Sequence, residues 1–218
     1  MPKIGAMEAT RIIAIRHGET AWNVDTRIQG QLDIPLNDNG RWQASQLSRA
    51  LSGEAISTVY ASDLLRANQT ARAVADAFGL DVQNDVGLRE RGFGIFEGRT
   101  FAEIDATWPE QARLWRKRDP QFEPEGGESL LRFRDRVVET ANRLAARHVG
   151  EQIVMVGHGG VMDVLYRAAT RQELQAARTW DLSNATINRL LWTPDGLTLV
   201  GWADNAHLSR DTLDEVST

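Results

Sequence analysis

Apolar residues in this chain follow two patterns. Two short runs are continuous rather than alternating: residues 11–15, ending at Arg16-His17-Gly18, and residues 152–156, ending at Gly157-His158-Gly159. A strand that is apolar at nearly every position is covered on both faces, as in a parallel sheet flanked by helices. Residues 55–61, with Ile56, Val59 and Tyr60 among small polar residues, form a third candidate strand. Between these runs the apolar spacing becomes helical. Asn37 is positioned to cap a helix through Trp42, Leu47 and Leu51 that stops at Gly53. The Ala-rich stretch 63–78 ends at Gly79. Residues 129–148 carry Leu130, Phe133, Val137, Ala141 and Leu144 near a helical period, with Gly150 just beyond. Residues 160–170 read as the helix after the second histidine-bearing strand. Near the end, 186–192 and 197–202 flank Thr193-Pro194-Asp195-Gly196, a turn sequence that predicts a hairpin.

Strand–helix alternation over most of the length predicts an α/β fold, a three-layer α/β/α sandwich with a mostly parallel central sheet. The chain has 218 residues, 42% of them hydrophobic, enough for one sizeable core. No internal repeat and no Pro/Gly/Ser-rich linker divides it. We therefore expect one domain over 10–218, with 1–9 as a flexible leader in which Met7 is an alternative start.

Composition removes several classes of chemistry. There is no Cys, which excludes disulfide scaffolds, Cys-ligated zinc and thiolate nucleophiles. The two lysines, Lys3 and Lys117, are not followed by Ser or Thr, so no Walker A loop is present. No Asp-x-Asp and no His-Asp doublet occurs. A net charge of −5 argues against a nucleic-acid partner. No apolar run reaches membrane-span length, and residues 1–10 lack the apolar core of a secretory signal, so the expectation is no membrane and a cytoplasmic location. Of the 25 basic residues all but the two lysines are Arg, which leaves Arg as the cation for anion recognition.

Two of the four histidines share one context: an apolar strand, then His, then Gly. Ligands in open α/β sheets bind beyond the carboxyl ends of strands, where the chain leaves for opposite faces. If the two strands are neighbours, His17 and His158 meet there. Either histidine alone would read as a plain strand-end residue; the repetition, with Arg16 beside His17, favours function.

The residues at this point resemble the histidine phosphatase superfamily, also called phosphoglycerate-mutase-like. The similarity is carried by Arg16-His17-Gly18-Glu19-Thr20 with Trp22-Asn23, then Arg27-Ile28-Gln29-Gly30, Asp33-Ile34-Pro35-Leu36 and Gly40. It continues through Ala61-Ser62-Asp63-Leu64-Leu65-Arg66-Ala67, Gln69-Thr70-Ala71, Leu88-Arg89-Glu90, Gly94 and Glu97-Gly98. Gly126-Gly127-Glu128-Ser129, Gly157-His158-Gly159-Gly160 and Asn205-Ala206-His207-Leu208 complete it, in the family's order over nearly the whole chain.

The resemblance implies a phosphoglycerate-mutase-like fold and a phosphohistidine formed on His17, whose imidazole must be neutral to attack. Arg16, Arg66 and His158 fall on phosphate-pocket positions, with Asn23, Gln29, Ser62 and Gly159 as further phosphate contacts. Arg66 taken alone would read as a solvated helix face. Glu90 falls on the general acid, which protonates the leaving oxygen and later takes a proton from water. Glu97 competes for that role, but Glu97-Gly98 reads better as a turn fixing the loop. Glu19 is expected to be structural or on the site rim, His148 a surface partner of a helix C-terminus, and His207 behind the site. The seven tryptophans are expected mostly in the core, with Trp22 and Trp115 as candidate substrate-side residues. No metal or organic cofactor is implied.

Within the family, Gly92-Phe93-Gly94-Ile95-Phe96 resembles the phosphatase branch. The expected activity is hydrolysis of a small phosphorylated metabolite, with the specificity residues in the loop and helices of 91–128. Arg113, Arg116, Lys117 and Arg118 keep phosphoglycerate mutase as the alternative. An inactive relative binding a phospho-ligand or a protein partner is the minor one. A homodimer is compatible with each.

Overall fold

The computed structural model describes residues 9–209, so residues 1–8 of the expected leader lie outside the described residues. In chain order the elements are β1 (Thr10–Arg16), α1 (Ala21–Val24), α2 (Asp38–Ala50), β2 (Thr58–Ala61), α3 (Leu65–Ala77) and β3 (Val82–Asn84). There follow α4 (Phe101–Thr107), α5 (Pro109–Arg116), α6 (Leu130–Ala145), β4 (Gln152–Gly157), α7 (Gly159–Thr170), β5 (Ile187–Thr193) and β6 (Gly196–Asp204). Single 3-10 turns lie at Val86–Leu88, Gly94–Phe96 and Ala206–Leu208.

The strands form one six-stranded sheet in the order β3-β2-β4-β1-β5-β6. β1, β2, β3 and β4 run parallel, and the β5–β6 hairpin is antiparallel at the other edge. The two continuous apolar runs are central neighbours, paired from Arg11 and Gln152 to Arg16 and Gly157. Their side chains divide by parity. Ile12, Ala14, Ile153 and Met155 pack under α6 and α7, whereas Ile13, Ile15, Val154 and Val156 pack under α2 and α3. Helices thus cover both faces, which is why these strands carry no alternation.

This arrangement places the site. After β1 the chain passes to α2 on one face; after β4 it passes to α7 on the other. The carboxyl ends of two adjacent parallel strands therefore open a crevice at a topological switch point, with His17 and His158 on its floor. Residues 93–122 build a separate small core around Phe96, Ile104 and Ala112, with Trp108 and Trp115 packed against it.

Several expectations shift. The third strand begins at Thr58, and the following helix at Leu65, because Ser62 and Asp63 commit their side chains to other elements. The helix expected to reach His148 ends at Ala145. His148 does not serve the helix C-terminus: Nε2 pairs with the Tyr60 hydroxyl (2.9 Å) and Nδ1 with Glu151 (2.6 Å). Only Trp180 and Trp192 of the seven tryptophans are buried; Trp108 and Trp115 are half-buried against the satellite core. Among the described residues no helix is long and apolar enough to cross a membrane.

Candidate active site

Each turn that leaves the sheet fixes one part of the site. After β1, Gly18 donates its N–H to the Thr70 hydroxyl of α3 (3.0 Å), and a Cβ at Gly18 would lie 2.5 Å from the Gly40 carbonyl oxygen. Only glycine lets α2 approach the histidine loop this closely. The His17 carbonyl accepts a hydrogen bond from Asn184 (2.9 Å). Arg16 accepts from the Ala185 N–H, and the Ala185 carbonyl bonds His207 Nε2 (2.9 Å). His207 thus sits behind the end of β1, braced on the segment that pairs with Arg16.

The two imidazoles meet edge to face with centroids 5.2 Å apart. His17 Nδ1 lies 2.7 Å from the Gly18 carbonyl oxygen. A carbonyl only accepts, so Nδ1 carries the proton and the Nε2 lone pair is free. Burial first, then the charges of Arg66 and Arg16, push the His17 pKa well below its usual range and hold the ring neutral at pH 7. His158 is lowered in the same direction, by burial and then by Arg66, His17 and Arg16.

The cations are held by backbone. Arg66 is 1% exposed, not on a solvated helix face, and donates Nη1 to the Leu32 carbonyl (2.8 Å) and Nη2 to the Gly30 carbonyl (2.7 Å). Burial lowers its pKa to about 10, which leaves it charged at neutral pH. Arg16 donates Nη1 to the Leu182 carbonyl, and burial lowers its pKa too. Arg16 Nε, Arg66 Nε and His158 Nδ1 are buried without a hydrogen-bond partner among the described residues. Buried donors of this kind cost about 1–3 kcal/mol each unless an acceptor meets them.

A cavity of about 180 Å³ joins these groups, and Arg16, His17, Asn23, Gln29, Arg66, Glu90 and Gly159 all line it. The Asn23 and Gln29 side-chain oxygens are engaged by Thr20, and their amide N–H groups make no hydrogen bond to a described residue. His158 and Ser62 lie just behind, both fully buried, with Ser62 Oγ 2.8 Å from His158 Nε2. Ser62 therefore engages the imidazole with the hydroxyl expected to meet phosphate. Arg27 also lines the cavity, held by the Gly98 carbonyl (2.8 Å) and Glu103 (3.2 Å).

Glu90 is seated by backbone donors, Arg91 N–H to Oε1 (2.9 Å) and Gly160 N–H to Oε2 (3.0 Å). A Cβ at Gly160 would lie 2.2 Å from Oε1, so the glycine makes room for the carboxylate. Arg89 grips Asp63 through two bonds of 2.7 and 2.6 Å, tying the Glu90 loop to the start of α3. Arg136 binds Glu128 (3.0 and 2.7 Å) and the carbonyls of Gly87 and Arg89. Glu97 instead bridges loops, its Oε1 accepting from Gln31 N–H (2.9 Å) and Phe93 N–H (3.0 Å). Glu19 accepts from Asn37 (2.8 Å) on the rim of a neighbouring cavity that Arg16 also lines. Trp22 packs toward Gly98, while Trp115 borders the cavity beyond Glu90.

Asn184 and Arg136 have no counterpart in the sequence reading. Their partners are largely backbone carbonyls, which leave no residue-type signal.

A neutral imidazole among fixed guanidinium groups at the switch point of an α/β sheet is a site suited to handling a phosphoryl group. The chain belongs to the histidine phosphatase superfamily (branch 1), whose family model matches residues 12–205. It is 39% identical over 208 residues to phosphoglycerate mutase-like protein 4 of Arabidopsis thaliana, spanning 94% of this chain and 89% of that one. It is 35% identical over 205 residues to the metal-independent phosphoserine phosphatase of the same plant, spanning 93% and 84%. Among solved structures, a mycobacterial glucosyl-3-phosphoglycerate phosphatase superposes with a TM-score of 0.79 at 32% identity, over 89% of this chain and 99% of that one. The α/β sandwich expected from the sequence is thus the family's fold.

Proposed function

We propose that this protein hydrolyses a small phosphorylated metabolite by way of a phosphohistidine on His17, within one domain that carries the whole site. The observation that carries the reading is the set of buried, unpartnered donors, Arg16 Nε, Arg66 Nε and His158 Nδ1, around a neutral imidazole. His17 Nε2 attacks phosphorus, the bond to the leaving oxygen breaks, and Glu90 gives that oxygen its proton. Arg16 and Arg66 meet the charge spread over the phosphoryl oxygens, the task a metal ion performs in other phosphoryl-transfer sites. Asn23, Gln29 and the Gly159 N–H complete the cradle, at the start of α7 where the helix dipole favours an anion. Water then attacks phosphorus, Glu90 takes its proton, the P–N bond breaks, and phosphate leaves with His17 neutral again.

The name of the phosphoserine phosphatase relative and that of the glucosyl-3-phosphoglycerate phosphatase support hydrolysis. The mutase-like relative supports the second reading, transfer of phosphate within phosphoglycerate. A cytoplasmic location and a homodimer fit either. Incubating the purified protein with phosphorylated metabolites in excess chelator, and measuring both free phosphate and phosphoglycerate isomers, separates them. We expect phosphate release undiminished by chelator. Dominant isomerisation, or release abolished by chelator, would overturn the proposal.

A further inference from the structure

Glu90 stands in a segment, residues 89–92, that belongs to no helix or strand. A helix or a sheet ladder would fix the backbone around such a residue; here other groups must do it. One side chain on α6 supplies most of them. Arg136 carries five N–H donors in a rigid planar fork. Nη1 meets the carbonyls of Gly87 and Arg89 (both 2.9 Å), and Nη2 meets the Glu90 carbonyl (3.3 Å). Nε and Nη2 meet the two carboxylate oxygens of Glu128 (3.0 and 2.7 Å). The peptide groups on both sides of the Glu90 Cα are therefore held by one guanidinium.

Glu128 extends the clamp. Its Oε2 also accepts from the Gly92 N–H (2.9 Å), and its own N–H donates to the Gly92 carbonyl (2.8 Å). The peptide that presents the Arg91 N–H to Glu90 Oε1 is thus held at its carbonyl by Arg136 and at the next residue by Glu128.

The other donor to the carboxyl is reached through an aromatic ring. The Arg136 guanidinium lies over Phe133, 5.1 Å from the ring centroid, and the Phe133 edge would be 3.0 Å from a Cβ at Gly160. Gly160 supplies the N–H that holds Glu90 Oε2. Arg136 makes no hydrogen bond to the carboxyl itself, yet it is packed or bonded to the supports of both groups that seat it. A general acid must lie within hydrogen-bond reach of the leaving oxygen, and a misplacement of about 1 Å can cost about 10²-fold in rate.

We propose that Arg136 is the positioning residue of the general acid: by fixing the Arg91 and Gly160 N–H groups it sets where Glu90 delivers its proton. The inference rests on the reading of Glu90 as the acid, and its test separates the two.

The test measures phosphoryl transfer to His17 in single turnover, with an alkyl and an aryl phosphate. Loss of a general acid costs about 10²–10⁴-fold, so the displaced acid of Arg136→Gln should slow the alkyl ester by about tenfold or more. The aryl ester, which needs little protonation, should stay within about threefold of the wild type. Affinity for inorganic phosphate, which reads the Arg16 and Arg66 side of the site, should be unchanged. Arg136→Lys keeps the charge but presents its donors from a single point, so it should not rescue the alkyl ester. Glu128→Gln, which retains an oxygen for the Gly92 N–H, should show the same selective loss at smaller size and carries the comparison if Arg136→Gln does not fold. Arg132→Gln, on the same helix but paired with exposed Glu123, should change neither ester.

Equal slowing of both esters, no loss with either, or full rescue by lysine overturns the positioning role. Glu90→Gln in the same assay tells the failures apart. If it shows the selective loss and the clamp variants do not, the positioning role falls and the hydrolytic reading stands. If Glu90→Gln shows no selective loss, the acid assignment falls and the positioning role with it.

Discussion

Ser62 and His158 form a closed pair, with Oγ 2.8 Å from Nε2 and neither residue exposed. The Leu64 N–H donates to the same hydroxyl (3.3 Å), an arrangement that favours Oγ giving its own proton to Nε2. That orientation leaves Nδ1 as the protonated nitrogen, free to donate to a phosphoryl oxygen. One hydroxyl thereby bears on the tautomer of a buried imidazole beside His17.

Ser62→Ala should strand Nε2 in the interior. A buried, unsatisfied polar atom costs about 1–3 kcal/mol, so we expect a stability loss of that size by urea unfolding. Phosphoryl transfer in single turnover should slow as well, because the His158 tautomer is no longer fixed. Unchanged single-turnover rates would confine Ser62 to a structural part.

Arg66→Ala tests the fixed-charge argument. Removing one preorganised donor to developing charge costs about 10²–10³ in rate, and Arg66 also secures the Gly30 and Leu32 carbonyls. The variant should lose at least that much in kcat/KM and should lose the thermal protection that vanadate gives the wild type. Retained protection by vanadate would place Arg66 outside the phosphate contacts.

The lowered pKa values of His17 and His158 have a consequence for stability. Both are displaced well below 6.5, so the unfolded chain takes up protons there before the folded chain does. The associated stability is fully present above pH 6.5 and is lost as pH falls below it. Each histidine contributes about 1.4 kcal/mol per pH unit in that window. His17→Gln, which does not titrate, should flatten the slope between pH 6.5 and 5 by that amount in phosphate-free buffer. Parallel slopes for variant and wild type would contradict the assignment.

Glu90 and Glu97 are separated by leaving-group chemistry. An alkoxide must be protonated as it departs, whereas a nitrophenolate leaves with little help. Glu90→Gln should therefore slow phosphoryl transfer from an alkyl phosphate far more than from an aryl phosphate, and phosphoenzyme should accumulate with the aryl ester. Glu97→Gln keeps an oxygen for the Gln31 and Phe93 N–H groups and should show no such dependence. The reverse pattern in single-turnover measurements would move the acid role to Glu97.

The parts of this molecule legible in its sequence are those whose physics acts through residue type. β1 and β4 are apolar at almost every position because helices cover both faces, and their His-Gly ends mark the crevice. β3 was not legible: it has three residues, none buried, and is held at the sheet edge by backbone pairing to β2. Asn184 and Arg136 were hidden for a related reason, since they brace the carbonyls of His17, Gly87 and Arg89. The family resemblance placed Ser62 at the site but not its bond to His158, which joins residues 96 apart in sequence. His148 misled because Gly150 suggested a longer helix, whereas the chain turns at Ala146 to reach Tyr60.

Everything proposed for this site turns on the nucleophile, His17. Rapid quenching with labelled phosphomonoester should trap phosphate on the protein that is acid-labile and base-stable, with peptide mapping placing it on His17. His17→Ala should carry no label and turn over no substrate. Label stable to acid or borne by a carboxyl group, or a His17→Ala variant that still labels and turns over, would contradict the phosphohistidine mechanism.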